Sequence, residues 1–106
     1  MVIYNADHYL KKFRHKPERL WCTKQFRLGD RFCVLGHCGA TDHETVPPQE
    51  AVSLEALFGR YILLPAHRVN DYSYSAERAG VATHTAAIGP RARIMVALRI
   101  IKARGG

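Results

Sequence analysis

Apolar positions along this chain alternate between three-and-four spacing and short clustered runs, and the alternation predicts its elements. From Asn5 or Asp7, either able to cap a helix through a side-chain oxygen, the residues Ala6, Tyr9, Leu10 and Phe13 recur at helical spacing. Pro17 ends or restarts that helix. Its opposite face carries His8, Lys11, Lys12 and His15, with Arg14 and Lys16 nearby. Two aromatic-containing runs follow, Trp21 to Leu28 and Arg31 to Val34, around a Gly29-Asp30 pair that fits a tight hairpin turn with Gly at positive φ. Cys33 to Ala40 is rich in small residues, with Cys33, Gly36 and Ala40 on one side of a short helix. Small residues admit close backbone approach, although each Gly inside a helix costs about 1 kcal/mol relative to Ala.

Thr41 to Gln49 reads as a loop stiffened by Pro47-Pro48. Ala51, Leu54, Leu57, Phe58 and Tyr61 predict the next helix, with Gly59 expected to end or kink it. Ile62 to Leu64 continue the core up to Pro65; His67 to Ser75 is polar and reads as a loop; Ala76 to Ile88 is ambiguous. Gly89-Pro90 starts a last helix whose buried stripe is Ile94, Ala97, Leu98 and Ile101, with Arg91, Arg93, Arg99, Lys102 and Arg104 outside. The class is mainly α, or α+β if the hairpin counts: about four helices around one core with a small β-hairpin near residues 21–34. The expected core is Tyr9, Phe13, Trp21, Leu35, Leu54, Leu57, Phe58, Ile94, Leu98 and Ile101, in a single domain over residues 1–106.

Charge changes this picture more than overall composition does. The formal charge is +7, distributed as +5 over residues 1–31, −4 over 32–59 and +6 over 60–106. A basic chain with an acidic middle is attracted to polyanions, whether nucleic acid or the acidic surface of a protein or ribonucleoprotein. Asn5, Asp7 and His8 interrupt the early residues, which lack the apolar run of a signal peptide, and no stretch approaches the roughly 20 apolar residues of a membrane span. Three cysteines without a secretion signal are expected as reduced thiols, and the expected location is the cytoplasm.

The order of features, a helix reaching Trp21, a Gly-containing turn, the Cys33-Val-Leu-Gly36 stretch and an Asn70-Asp71 pair before a last apolar helix, resembles a family of small bacterial and phage-borne proteins of unknown function. Members of that family show Cys-x-Leu-Gly-Ala and, later, Trp-Asn-Asp. Here His37 stands where Ala is usual and Val69 where Trp is usual. The resemblance implies a mainly helical domain with a small hairpin and carries no activity with it.

Three constellations bear on function. Cys22, Cys33, His37, Cys38 and His43 are of zinc-ligating types, and Cys33 with His37 has the spacing that puts two ligands on one helical face; no Cys-x-x-Cys knuckle accompanies them. Free cysteines more often act as small buried hydrophobes, so no cofactor is expected and zinc is the alternative. Cys33 could instead be a nucleophile with its thiol pKa lowered at a helix N-terminus, His67 or His84 as base and Asp71 orienting the ring. Asn70-Asp71 is otherwise expected to form a turn through side-chain-to-backbone bonds. Gly36-His-Cys-Gly39 lacks the features of a phosphate loop. For nucleic acid or another partner, the candidate residues are Lys11, Lys12, Arg14 and Lys16, then Lys24, Arg27 and Arg31, with Tyr72 and Tyr74 as stacking surfaces. The expected function is a small, non-enzymatic, basic module contacting nucleic acid or a nucleic-acid-handling complex, a role that also suits a phage-encoded inhibitor of host defence. A thiol-dependent enzyme or zinc-stabilised protein built on the Cys33 region is the alternative.

Overall fold

Asn5, chosen above as one of two possible caps, is the residue that starts the first helix: its side chain accepts the His8 N–H at 3.0 Å, and α1 runs Ala6–Phe13. The computed structural model describes residues 3–81 and 89–106. After a 3₁₀ turn at Glu18–Leu20, β1 (Arg27–Leu28) and β2 (Arg31–Phe32) pair antiparallel, Arg27 opposite Phe32 and Leu28 opposite Arg31. Gly29 holds the tight turn between them at φ 62°. α2 (Val34–His37) follows at once, then α3 (Gln49–Tyr61), α4 (Ala66–Asp71), α5 (Ser73–Arg78) and α6 (Pro90–Ala103). The fold is mainly helical with one small hairpin.

α1 and α6 lie antiparallel. At one end Lys102 Nζ meets Asp7 at 2.9 Å and Ala6 N–H donates to the Gly106 carbonyl at 3.1 Å; at the other, the Arg91 guanidinium reaches the carbonyls of Phe13 and Arg14. α6 has no cap of its own. Glu18 supplies one from far along the chain, its two carboxylate oxygens accepting the N–H groups of Arg91 and Ala92 at 3.0 and 3.1 Å.

One cluster forms the core, and nine of the ten residues expected there are buried in it. The tenth, Leu35, is only partly buried and packs against its edge. Phe13 and Trp21 meet edge to face with ring centroids 5.2 Å apart, which places the Trp against α1, and the indole N–H donates to the Lys16 carbonyl.

Three local expectations need correction. Gly59 does not end α3: it faces open space, and the helix continues to Tyr61 and stops where Leu63 takes a left-handed φ of 65°. The polar segment from His67 is not a loop but α4 and α5, separated by an extended Tyr72. α4 forms because Pro65 precedes it and the Glu55 carboxylate of α3 accepts the Ala66 N–H, a tertiary contact that no local pattern reports. Arg93, read as outward-facing, is buried, its guanidinium donating to the carbonyls of Val69 and Asn70 at the end of α4.

Asn70 is the polar centre of the packing. Fully buried, it accepts from Val34 N–H at the start of α2 and donates to the Cys22 carbonyl, both at 3.0 Å, and to Asp71 Oδ1 at 2.9 Å. Asp71 in turn accepts the Lys24 N–H at 2.9 Å, where Lys24 adopts φ 66°. Side-chain-to-backbone bonds do form at Asn70-Asp71, but they tie distant segments together and do not make a local turn.

Candidate functional site

The basic stripe of α1 is divided by helical geometry. With Ala6, Tyr9 and Phe13 turned into the core, Asp7, Lys11 and Arg14 fall on one flank and His8 and Lys12 on the other. Lys12 is used internally: its ammonium meets Glu50 of α3 at 3.2 Å, beside His8 at 3.1 Å. Burial opposes ionisation of Glu50, but the bonds from His8 and Lys12 outweigh it and hold the carboxyl below its usual range. Lys11, Arg14, Lys16, Lys24, Arg27 and Arg31 enter no ion pair among the described residues. On the hairpin, Arg27 donates to the Gly29 carbonyl at 2.7 Å and lies over the Phe32 ring, and Lys24 lies 5.3 Å from the Tyr72 ring centre. Tyr72 and Tyr74 sit with ring centroids 5.2 Å apart, and Tyr74 is exposed.

The Lys11 and Arg14 flank faces α6 across a groove of about 370 Å³, lined by Asp7, Leu10, Lys11, Arg14, Arg91, Met95 and Arg99. Arg91 and Arg99 were placed outside by the sequence pattern but not recognised as site residues. Their four-residue steps through Met95 put them on one stripe, which is a readable signal; that this stripe faces Lys11 and Arg14 depends on the antiparallel docking of α1 and α6.

The residues named for thiol chemistry do share a cavity. Cys33, His67 and Asp71 line a space of about 320 Å³ with Lys24, Phe26 and Glu55. Their bonding differs from the expected relay: Glu55, not Asp71, binds His67 Nδ1, while Asp71 is engaged by Lys24 and Asn70. The hydrogen bond that His67 donates to the Glu55 carboxylate raises the His67 pKa. The Cys33 thiol is pushed up by burial, opposite to the expected lowering. It does cap α2, its sulfur accepting the Gly36 N–H at 3.4 Å, but a helix of four residues contributes too little field to offset desolvation. His84 lies outside the described residues.

The zinc set does not converge. Among the described residues no three His, Cys, Asp or Glu side chains are grouped to hold a metal ion. Cys22 donates to the Gln25 carbonyl, burial pushes Cys38 up to about 12, and His43 rests against Phe26. His37 packs 4.4 Å from Trp21 and bonds the Leu20 carbonyl at 3.0 Å.

That packing gives His37 a pH role. Burial, helped by Lys16, lowers its pKa from 6.5 to about 4, so the folded ring refuses a proton that the unfolded ring accepts. The associated stability is complete above pH 6.5 and is lost as pH falls through about 4, a loss on the order of 3 kcal/mol. His67 acts in the opposite sense, its contribution present below its unfolded pKa and lost as pH rises through its raised folded value. Urea unfolding across this range should show the acid limb, and His37→Gln should flatten it; an unchanged slope in the variant would assign the limb elsewhere.

No family model matches the chain, and neither a curated protein nor a solved structure matches it.

Proposed function

We propose that this protein is a non-enzymatic module that binds nucleic acid through its cationic surfaces. The supporting observation is the state of its charges: the exposed Lys and Arg side chains of α1 and the hairpin are largely free of carboxylate partners, while the acidic residues Glu50, Glu55 and Glu18 serve internal contacts. An excess of unpaired cations draws phosphate and releases condensed counterions on contact. Binding alone is enough to obstruct a nucleic-acid-handling complex, which is the role proposed for it here.

The test is fluorescence anisotropy with labelled single-stranded and duplex oligonucleotides over a salt series. With about six phosphate contacts, log K should fall against log salt with a slope near −5. Lys11→Glu with Arg14→Glu should abolish association, and Cys33→Ser should leave it unchanged. Binding that is absent at low salt, or indifferent to salt, would remove the proposal.

A second reading, a thiol-dependent enzyme, is favoured by one observation only: Cys33 and a Glu55-oriented His67 line the same cavity. It requires Cys33 to react rapidly with iodoacetamide in the folded protein, and its burial at 4% exposure argues for slow reaction.

A further inference from the structure

We infer that the groove between α1 and α6 is a phosphate-recognition site in which Arg91, Arg99, Arg14 and Lys11 receive successive phosphodiesters of one nucleic-acid strand. The inference rests on the nucleic-acid reading above and gives it a location.

The geometry comes from two facing stripes. On α6, Arg91, Met95 and Arg99 follow at four-residue steps, so the two guanidinium-bearing positions stand about 12 Å apart along the axis. On α1, Asp7, Lys11 and Arg14 follow at steps of four and three, running the opposite way. Among the described residues Asp7 is the one acid lining the groove, and Lys102 takes it at 2.9 Å from beyond the lining. Four cations therefore face one space of about 370 Å³, while its lining acid Asp7 is paired with Lys102 and the nearby Glu18 carboxylate is engaged by main-chain N–H groups of α6. Such a cluster repels itself, and an anion seated among its members relieves that repulsion.

Arg91 supplies an independent observation. Its Nη2 reaches the carbonyls of Phe13 at 3.5 Å and Arg14 at 3.4 Å, so the guanidinium is held across the end of α1. Its Nε is shielded from solvent and has no acceptor, the one such side-chain nitrogen or oxygen among the described residues. A guanidinium already oriented by the protein loses little freedom when it engages a planar pair of oxygens.

Spacing favours phosphodiesters over protein carboxylates. Along a duplex axis, where the phosphates of one strand rise about 3.4 Å per nucleotide, the distance of about 12 Å from Arg91 to Arg99 covers between three and four steps. Regular charge at that repeat is intrinsic to a nucleic-acid strand, whereas acidic side chains on a protein surface have no fixed repeat. Leu10 and the buried Met95 form an apolar bed between the cations, against which a sugar edge packs.

The test uses the full chain, with circular dichroism confirming that each variant is folded. A labelled single-stranded oligonucleotide is titrated against wild type, against Lys11→Ala with Arg99→Ala, against Arg91→Lys, and against Arg27→Ala with Arg31→Ala on the hairpin. The groove double variant should weaken binding about tenfold and make the salt slope shallower by about 1 per cation removed, with a smaller effect from the hairpin pair. Arg91→Lys keeps the charge but loses the fork and should also weaken binding. A second probe, inorganic pyrophosphate, should shift the arginine side-chain NMR signals of Arg91 and Arg99. If the oligonucleotide binds and only the hairpin variant loses affinity, the groove inference is overturned and the nucleic-acid reading stands. If the oligonucleotide fails to bind while pyrophosphate shifts Arg91 and Arg99, the nucleic-acid reading falls and the groove is upheld as a phosphate site. If neither probe binds, both fall. Competition by polyglutamate as strong as by the oligonucleotide would overturn phosphate specificity and point to an acidic protein surface.

Discussion

Asn70→Ala should destabilise the protein by about 3–5 kcal/mol, enough to leave a domain of ordinary stability near unfolding at room temperature. The side chain is fully buried and satisfies two main-chain groups that have no water to turn to, the Val34 N–H and the Cys22 carbonyl. Truncation leaves both unpaired and opens a cavity where the hairpin, α2 and α4 meet. The penalty arises chiefly from the groups left behind, each costing about 1–3 kcal/mol. Asn70→Asp is a sharper comparison. It keeps an acceptor for Val34 but loses the donor to Cys22 and sets a second carboxylate against Asp71, so it should be at least as damaging. Urea denaturation followed by Trp21 fluorescence measures both. The exposed neighbour Arg68→Ala serves as a control that should change stability by less than about 0.5 kcal/mol. A loss under about 1 kcal/mol for Asn70→Ala would mean that the network relaxes around the gap and is not the polar centre of the fold.

Gly36→Ala should be the second most damaging single change, and its sign runs against helix propensity. In an isolated helix, Ala in place of Gly adds about 1 kcal/mol of stability. Here a Cβ would stand 2.2 Å from the Phe26 carbonyl oxygen and 3.2 Å from the Phe32 Cβ. The carbonyl cannot easily retreat, because it accepts the Cys33 N–H at 3.2 Å and so belongs to the join between hairpin and α2. The expected loss is about 3 kcal/mol, the upper part of the usual range for overpacking. Gly59→Ala provides the internal contrast: it lies within α3 with nothing near its Cβ position and should be neutral or stabilising. Comparable unfolding midpoints for the two variants would show that the hairpin and α2 can separate without penalty.

Much of this fold could be read before any coordinates, and the parts that could not have identifiable reasons. α1, α3 and α6 each present an apolar stripe at helical spacing, and Gly29-Asp30 carries the chemistry of its turn. α4 and α5 carry no such signal. Each is six residues long, too short for a stripe to develop, and α4 is nucleated by Glu55, which belongs to another element. Arg93 misled for a related reason. Arginine is rarely buried, and what draws this one inward is a pair of carbonyls at the end of α4. The candidate surfaces were partly legible. Lys11 and Arg14 were named from the charge of α1, but Lys12, named with them, is occupied by Glu50. Arg91 and Arg99 became visible as partners of Lys11 and Arg14 only once α1 and α6 were docked. At the Cys33 cavity Cys33, His67 and Asp71 do line one space, but the bonding differs from the expected relay, since sequence does not reveal that Glu55 stands nearer the imidazole than Asp71 does.

The cap that Glu18 lends to α6 has a consequence for the order in which the chain can assemble. A helix of 14 residues with no local cap is marginal by itself in water. Its first N–H groups find their acceptor 73 and 74 residues back along the chain, so a large loop must close before the helix start is satisfied. Formation and docking of α6 are thus one event, coming after the segment around Glu18 is in place. The bond that completes the helix is also among the most non-local in the molecule, so the start of α6 is satisfied by tertiary structure and not by its own sequence.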